Sequence, residues 1–258
     1  MCVSQAIRQA KIADMATGID GVPHEIVYLA EEHETWRRIM TQLSPLWDRS
    51  VAPELHEARA NLALPTSAIP QLSLVTERLS SLTGFRYRSV AGTVPGHDFF
   101  GALSQRVFLS TQFIREAYDL DYTPQPDVVH EVGGHAASLA TPQLAELHQL
   151  AGRASVAVPT MLPQIASVFW YTVEFGVIRA GTGWKAYGAG LLSSPGELAW
   201  FTEHAAVRRL SIADMIGTTY DIDSYQPVLF GADSLDHVLD IVGAFYLNLI
   251  DNNPAANT

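Results

Sequence analysis

Apolar residues recur along most of the chain at the three-and-four spacing of amphipathic helices, while alternating runs are few and short. From Ala30, the segment AEEHETWRRIMTQL sets Trp36, Ile39, Met40 and Leu43 on one face, and Pro45 is expected to close that helix. Pro70 to Leu82 repeats the device with Leu72, Val75, Leu79 and Leu82, ending at Gly84. Further helices are expected from about His97 to Ala117, about Asp127 to Leu139 and about Pro142 to Ala151. Ile165 to Val177 is apolar almost all round, the mark of a buried helix. Leu235, Val238, Leu239, Val242 and Tyr246 form one stripe on a final helix. Glycines interrupt GTGWKAYGAGLLSSPGE, and FRYRSVAG alternates weakly, as a short strand or an extended loop would. The pattern predicts a mainly α fold with a few short strands. No repeat, low-complexity tract or long Gly/Ser linker divides the chain. One domain over 23–258 is therefore expected, after a weakly patterned leader at 1–22.

Composition narrows the function classes. The 258 residues are 48% hydrophobic and 17% charged, enough for a full core and unlike a disordered chain. Apolar runs stop short of membrane-spanning length, and the N-terminus lacks a secretory signal. A formal net charge of −11 argues against nucleic acid or an anionic membrane surface as partner. The single cysteine, Cys2, allows neither an internal disulfide nor a thiolate cluster. A cytoplasmic location is the expectation.

Candidate chemistry begins in QPDVVHEVGGHAASLA, where His130 and His135 stand five residues apart. On a regular α-helix, where each residue turns about 100°, that spacing points the second imidazole well away from the first. The zinc protease pattern uses a spacing of four instead. Gly133 and Gly134 lie between the two histidines and offer a way to relax the geometry. Glu174 sits in SVFWYTVEFGV, the most apolar helical stretch, where an unpaired carboxylate is expensive to bury. It needs either a metal or an ion-pair partner, for which Lys185 and Arg179 are the candidates. Two histidines and one carboxylate form the facial set that suits Fe(II). Zinc accepts the same three ligands, with Glu131 then available as a general base of a hydrolase.

Longer motifs bear on that choice. The run Tyr122-Thr-Pro-Gln-Pro-Asp-Val-Val-His130-Glu-Val-Gly-Gly-His135 resembles the iron-binding signature of the pterin-dependent aromatic amino acid hydroxylases. So does Phe169-Trp-Tyr-Thr-Val-Glu174-Phe-Gly, followed by Lys185 to Ser194 and Gly196-Glu197-Leu198. Ile69-Pro-Gln-Leu72, Thr83-Gly-Phe-Arg86 and Val90-Ala-Gly92 to Asp98-Phe99 fit upstream in the same order, so the similarity runs from about Val27 to about Phe245.

The resemblance implies a monooxygenase using Fe(II), tetrahydrobiopterin or a related tetrahydropterin, and O2 to hydroxylate an aromatic ring. By that resemblance His130, His135 and Glu174 are the iron ligands. Phe99 stacks on the pterin, with Gly92, Thr93, Val94 and Glu131 around it. Arg115 takes the amino acid carboxylate, supported by Thr123 and Ser193, and its plain alternative is an ion pair with Glu116 or Asp119. Pro126 and Trp170 enclose the ring, and Glu131 and Trp170 stand next to the reaction. Ile222 occupies a position where tyrosine hydroxylases tend to carry an acid, which favours L-phenylalanine, although Asp221 and Asp223 adjoin it. The expected product is tyrosine, with meta-tyrosine the alternative. The chain departs from the pattern at Thr93-Val-Pro-Gly96, at Leu109 (a histidine in the animal enzymes), at Gly133-Gly134 and at Phe169 (commonly tyrosine). The compact bacterial form, a monomer, is the expectation.

Overall fold

The computed structural model describes residues 25–123 and 125–253. The expected leader at 1–22 and Cys2 lie outside them. Helix α1 spans Ala30–Ser50. Its first turn is secured by the Glu32 carboxylate, which accepts the Leu29 N–H at 2.6 Å. Pro45 does not close this helix. It falls on the exposed side, where water can satisfy the carbonyl it leaves free, while Leu46 and Trp47 continue the buried stripe. After α2 (Pro53–Leu62), which sequence periodicity missed, α3 runs over Leu72–Leu82.

The FRYRSVAG segment resolves as a strand, β1 (Arg86–Ser89), paired in parallel with β2 (Val107–Ser110). β2 corrects the expected His97–Ala117 helix. Only α4 (Gly96–Ser104) forms, and the chain turns at Arg106, which adopts a left-handed φ of 56°. Val-Phe-Leu is a short continuous apolar run, and tertiary pairing with β1 decides that it extends.

The next helical region departs from α winding. Val129–His135 is wound as a π-helix and continues as α5 (Ala136–Ala140). α6 (Pro142–Ala157) packs against α4. The expected Ile165–Val177 helix is α7 (Leu162–Phe169) followed by a second π segment, Trp170–Glu174, and it stops there because Val177 enters a sheet. That sheet orders β4 (Gly183–Ala186), β3 (Val177–Ala180), β6 (Val228–Ala232) and β5 (Ala206–Arg209). The β3–β4 pair is an antiparallel hairpin turned at Gly181, and the other two pairs are parallel.

α8 (Ala189–Ser193) and α9 (Pro195–His204) follow the hairpin, and α10 (Ile212–Gly217) precedes β6. The final stripe divides into α11 (Leu235–Val238), a third π segment (Leu239–Gly243) and α12 (Ala244–Asp251). The fold is mainly helical with short strands, as the patterning predicts. No single helix among the described residues is long and apolar enough to cross a membrane. The one pair that passes jointly bends by 120° at its break.

Candidate active site

The two π segments carry the candidate metal ligands. An i→i+5 ladder puts residues five apart on successive turns, so π winding does for His130 and His135 what α winding cannot. His130 Nε2 and His135 Nε2 lie 3.2 Å apart. Glu174 Oε1 stands 3.2 Å from His135 Nε2, and its Oε2 stands 3.5 Å from His130 Nε2. Gly134 admits this geometry: a Cβ there would lie 2.5 Å from the Ala189 carbonyl oxygen of α8. At Gly188 a Cβ would lie 2.4 Å from the Glu174 carbonyl oxygen, so that glycine lets the chain cross the second ligand segment.

The cation partners considered for Glu174 are engaged elsewhere. Lys185 Nζ donates to the Arg49 carbonyl, and the Arg179 guanidinium lies 4.2 Å from the Trp184 ring centroid. Burial lowers the His130 imidazole to about 4, against the pull of Glu174, and lowers His135 to about 3. Both rings are thus neutral at pH 7 and present lone pairs. Burial raises the Glu174 carboxyl, and its Oε2 has no hydrogen-bond partner. Three bare donor atoms converging in a buried space fit a divalent metal, which satisfies all three at once.

Glu131 is the competing carboxylate, since its oxygen also lies within 4.8 Å of both histidine nitrogens. Its Oε1, however, accepts the Thr111 N–H at 3.3 Å, and burial raises this carboxyl well above its ordinary range. The direct contacts of Glu174 with both imidazoles make it the stronger candidate for a third ligand.

Two cavities meet at this cluster. The larger, about 290 Å³, is lined by Arg115, Thr123, Pro126, Trp170, Ser193 and Ile222, together with His130, Glu174 and Thr93. The smaller, about 220 Å³, is lined by Gly92, Thr93, Val94, Phe99 and Glu131, with Leu109, Pro126, His130, His135 and Glu174. Every substrate-side residue expected from sequence borders the first, and every pterin-side residue borders the second.

The larger cavity is anchored by Arg115, which pairs with Asp127 rather than with Glu116 or Asp119. Nε and Nη2 donate to the two Asp127 oxygens at 3.0 and 2.8 Å, a bidentate fork. Nη1 makes only long contacts, 3.3 Å to the Ser193 carbonyl and 3.4 Å to that of Leu120. Ser193 Oγ meets His130 Nδ1 at 3.1 Å, which leaves Nε2 bare for a metal. The Thr123 hydroxyl donates to Gln125 O at 3.1 Å. Trp170 stacks on Tyr220 at 4.4 Å, and its Nε1–H donates to Gln226 Oε1 at 3.3 Å. Ile222 lies at the rim, 51% exposed. Asp221 turns its carboxylate to Asp223 N and Ser224 Oγ, both at 3.0 Å.

The family profile described as "Biopterin-dependent aromatic amino acid hydroxylase" matches residues 4–253. A phenylalanine 3-hydroxylase of Streptomyces coeruleorubidus is 40% identical over 255 residues, 97% of this chain and 91% of that protein. The chain belongs to the biopterin-dependent aromatic amino acid hydroxylases. It is also 32% identical to the phenylalanine-4-hydroxylase of Chromobacterium violaceum, over 88% of this chain and 79% of that one. Among solved structures, that enzyme with bound iron(III) and 7,8-dihydrobiopterin gives a TM-score of 0.78 at 32% identity, covering 87% of this chain and 84% of that one. The human phenylalanine-4-hydroxylase is 35% identical, and this hydroxylase chain spans 54% of its length.

Within this hydroxylase fold, Asp127 is the residue that sequence reasoning missed. It clamps Arg115 and also accepts the His130 N–H at 3.1 Å. The available signal was an acid three residues before the first histidine, in a stretch otherwise too apolar to bury a charge.

Proposed function

We propose that this chain hydroxylates the ring of L-phenylalanine, giving tyrosine, with Fe(II) at His130, His135 and Glu174. The observation that carries the reading is the junction of two cavities at one cluster, with Thr93, Pro126, His130 and Glu174 bordering both. The iron and tetrahydropterin, when bound, supply the reductive activation of O2. Phe99 offers the smaller cavity an aromatic ring, already packed edge-on against Phe100, Phe108 and Phe169. Glu131, Gly92, Thr93 and Val94 complete that wall. In the larger cavity, Arg115 holds the amino acid carboxylate with Thr123 and Ser193, and Pro126 and Trp170 sandwich the ring. Asp127 keeps the guanidinium aimed. An apolar Ile222 facing the cavity, with Asp221 turned into its own loop, supports phenylalanine over a substrate bearing a ring hydroxyl.

A second reading, hydroxylation at the meta position, is favoured by the 40% identity to the Streptomyces phenylalanine 3-hydroxylase. It uses the same ligands and differs in how the cavity tilts the ring. The test is incubation with Fe(II), a tetrahydropterin, O2 and each aromatic amino acid in turn, with products identified by NMR. Tyrosine formed from phenylalanine is expected. Meta-tyrosine would establish the second reading, and no pterin-dependent product from phenylalanine would refute both.

A further inference from the structure

A histidine that binds metal through Nε2 carries its ring proton on Nδ1, and in a dry core that N–H requires an acceptor. His130 has Ser193 Oγ for this purpose. His135 has no such partner: its side chain is 1% exposed, and its Nδ1 is buried without a hydrogen bond. On α6, His148 is fully buried, and its Nδ1 lies 2.7 Å from the Leu144 carbonyl oxygen. A carbonyl only accepts, so the His148 proton sits on Nδ1 and the neutral ring leaves Nε2 a bare lone pair. Its Nε2 is likewise buried without a partner.

The two rings are neighbours, with centroids 5.7 Å apart and planes at 77°. Phe85, Phe108 and Phe169 surround His148 edge-on and offer no competing polar atom. An orphaned donor and an orphaned acceptor therefore share one apolar pocket. We propose that His148 is a positioning residue for the metal centre: its Nε2 accepts the Nδ1–H of His135, directly or through one water, and the Leu144 carbonyl anchors it from the other side. The chain metal–His135–His148–Leu144 fixes both the tautomer and the ring plane of His135.

The inference rests on His135 being a metal ligand, as proposed above. The test titrates metal-free protein anaerobically with Fe(II), and separately with Co(II) as a spectroscopic probe. The metal-free unfolding midpoint is measured alongside. His148→Phe fills the aromatic shell without an acceptor and is expected to weaken metal binding by roughly 10–100-fold. It should also shift the Co(II) visible bands while barely moving the metal-free midpoint. His148→Gln, with a carbonyl oxygen near the place of Nε2, should recover most of the affinity. Unchanged affinity and bands in His148→Phe overturn the proposal, as does a failure of His148→Gln to recover. An affinity loss that merely follows a lowered metal-free midpoint, as simple packing damage would give, overturns it too. Wild-type protein that binds neither metal would instead overturn the ligand assignment itself, so the two failures are distinguishable.

Discussion

Glu174 and Glu131 are both buried beside the histidine pair, and burial raises both carboxyls. Their partners separate their roles. Glu131 has a backbone donor in Thr111, whereas Glu174 faces only imidazole nitrogens. A bound cation favours the ionised form of Glu174 and so offsets its burial. Glu131→Gln is accordingly expected to retain iron but to lose turnover by about 10²-fold or more, the scale of a preorganised electrostatic contact. Iron content measured beside the rate distinguishes this from loss of metal. Arg115→Lys keeps the charge but breaks the fork on Asp127. The KM for the amino acid should rise about tenfold or more, since a charge-assisted hydrogen bond contributes ~1.5–3 kcal/mol. Steady-state kinetics with kcat read separately checks this. At this scale the sequence was informative about identity and silent about pairing. Arg115 was legible from its motif, but its partner could not be read from Glu116 and Asp119 alone, because the fold brings Asp127 closer than either chain neighbour.

Two π segments explain why the site was only half legible from periodicity. A spacing of five contradicts α winding, and Gly133-Gly134 signalled that something local would give. Nothing in the sequence states that the helix re-winds rather than breaks. The glycines are not equivalent. A methyl at Gly134 would sit 2.5 Å from the Ala189 carbonyl oxygen, while one at Gly133 meets the flexible end of Met40, Cε, at 3.4 Å and Val129 Cγ1 at 3.7 Å. Gly134→Ala should therefore destabilise the protein by about 1–3 kcal/mol, as overpacking does, and weaken metal binding. Gly133→Ala should leave both nearly unchanged, and urea unfolding of the two variants tests the contrast. The other missed elements have similar causes. Pro45 is a local stop signal, but buried residues beyond it carry α1 onward. The Val107–Ser110 run falls within the stretch expected to be helical, but β1 recruits it. In both cases tertiary packing overrides the local signal.

At the scale of the whole molecule, the mainly helical single fold was legible because amphipathic stripes are long. The four-stranded sheet was not, since its strands are only four or five residues long. One buried acid ties global stability to pH. Glu197 is fully buried, and burial raises its carboxyl to about 7, against the lowering effect of the Gln226 N–H. A raised folded-state value means that its stabilising contribution is complete below the unfolded value near 4.5 and is lost as pH rises through about 7. Glu197→Gln should remove that loss, so the variant gains on wild type by roughly 3 kcal/mol between pH 4.5 and 8, judged by unfolding of the metal-free proteins.

Metal links the site to the same stability. A ligand present at a hundred times its dissociation constant adds about 2.7 kcal/mol, so chelation should lower the unfolding midpoint of wild type but not that of a ligand-deficient variant. The role of Glu174 is tested most directly by the iron content and the pterin-dependent turnover of Glu174→Ala beside wild type. About one iron per wild-type chain is expected, with both iron and turnover lost in the variant. A variant that kept its iron and still hydroxylated phenylalanine would contradict that role.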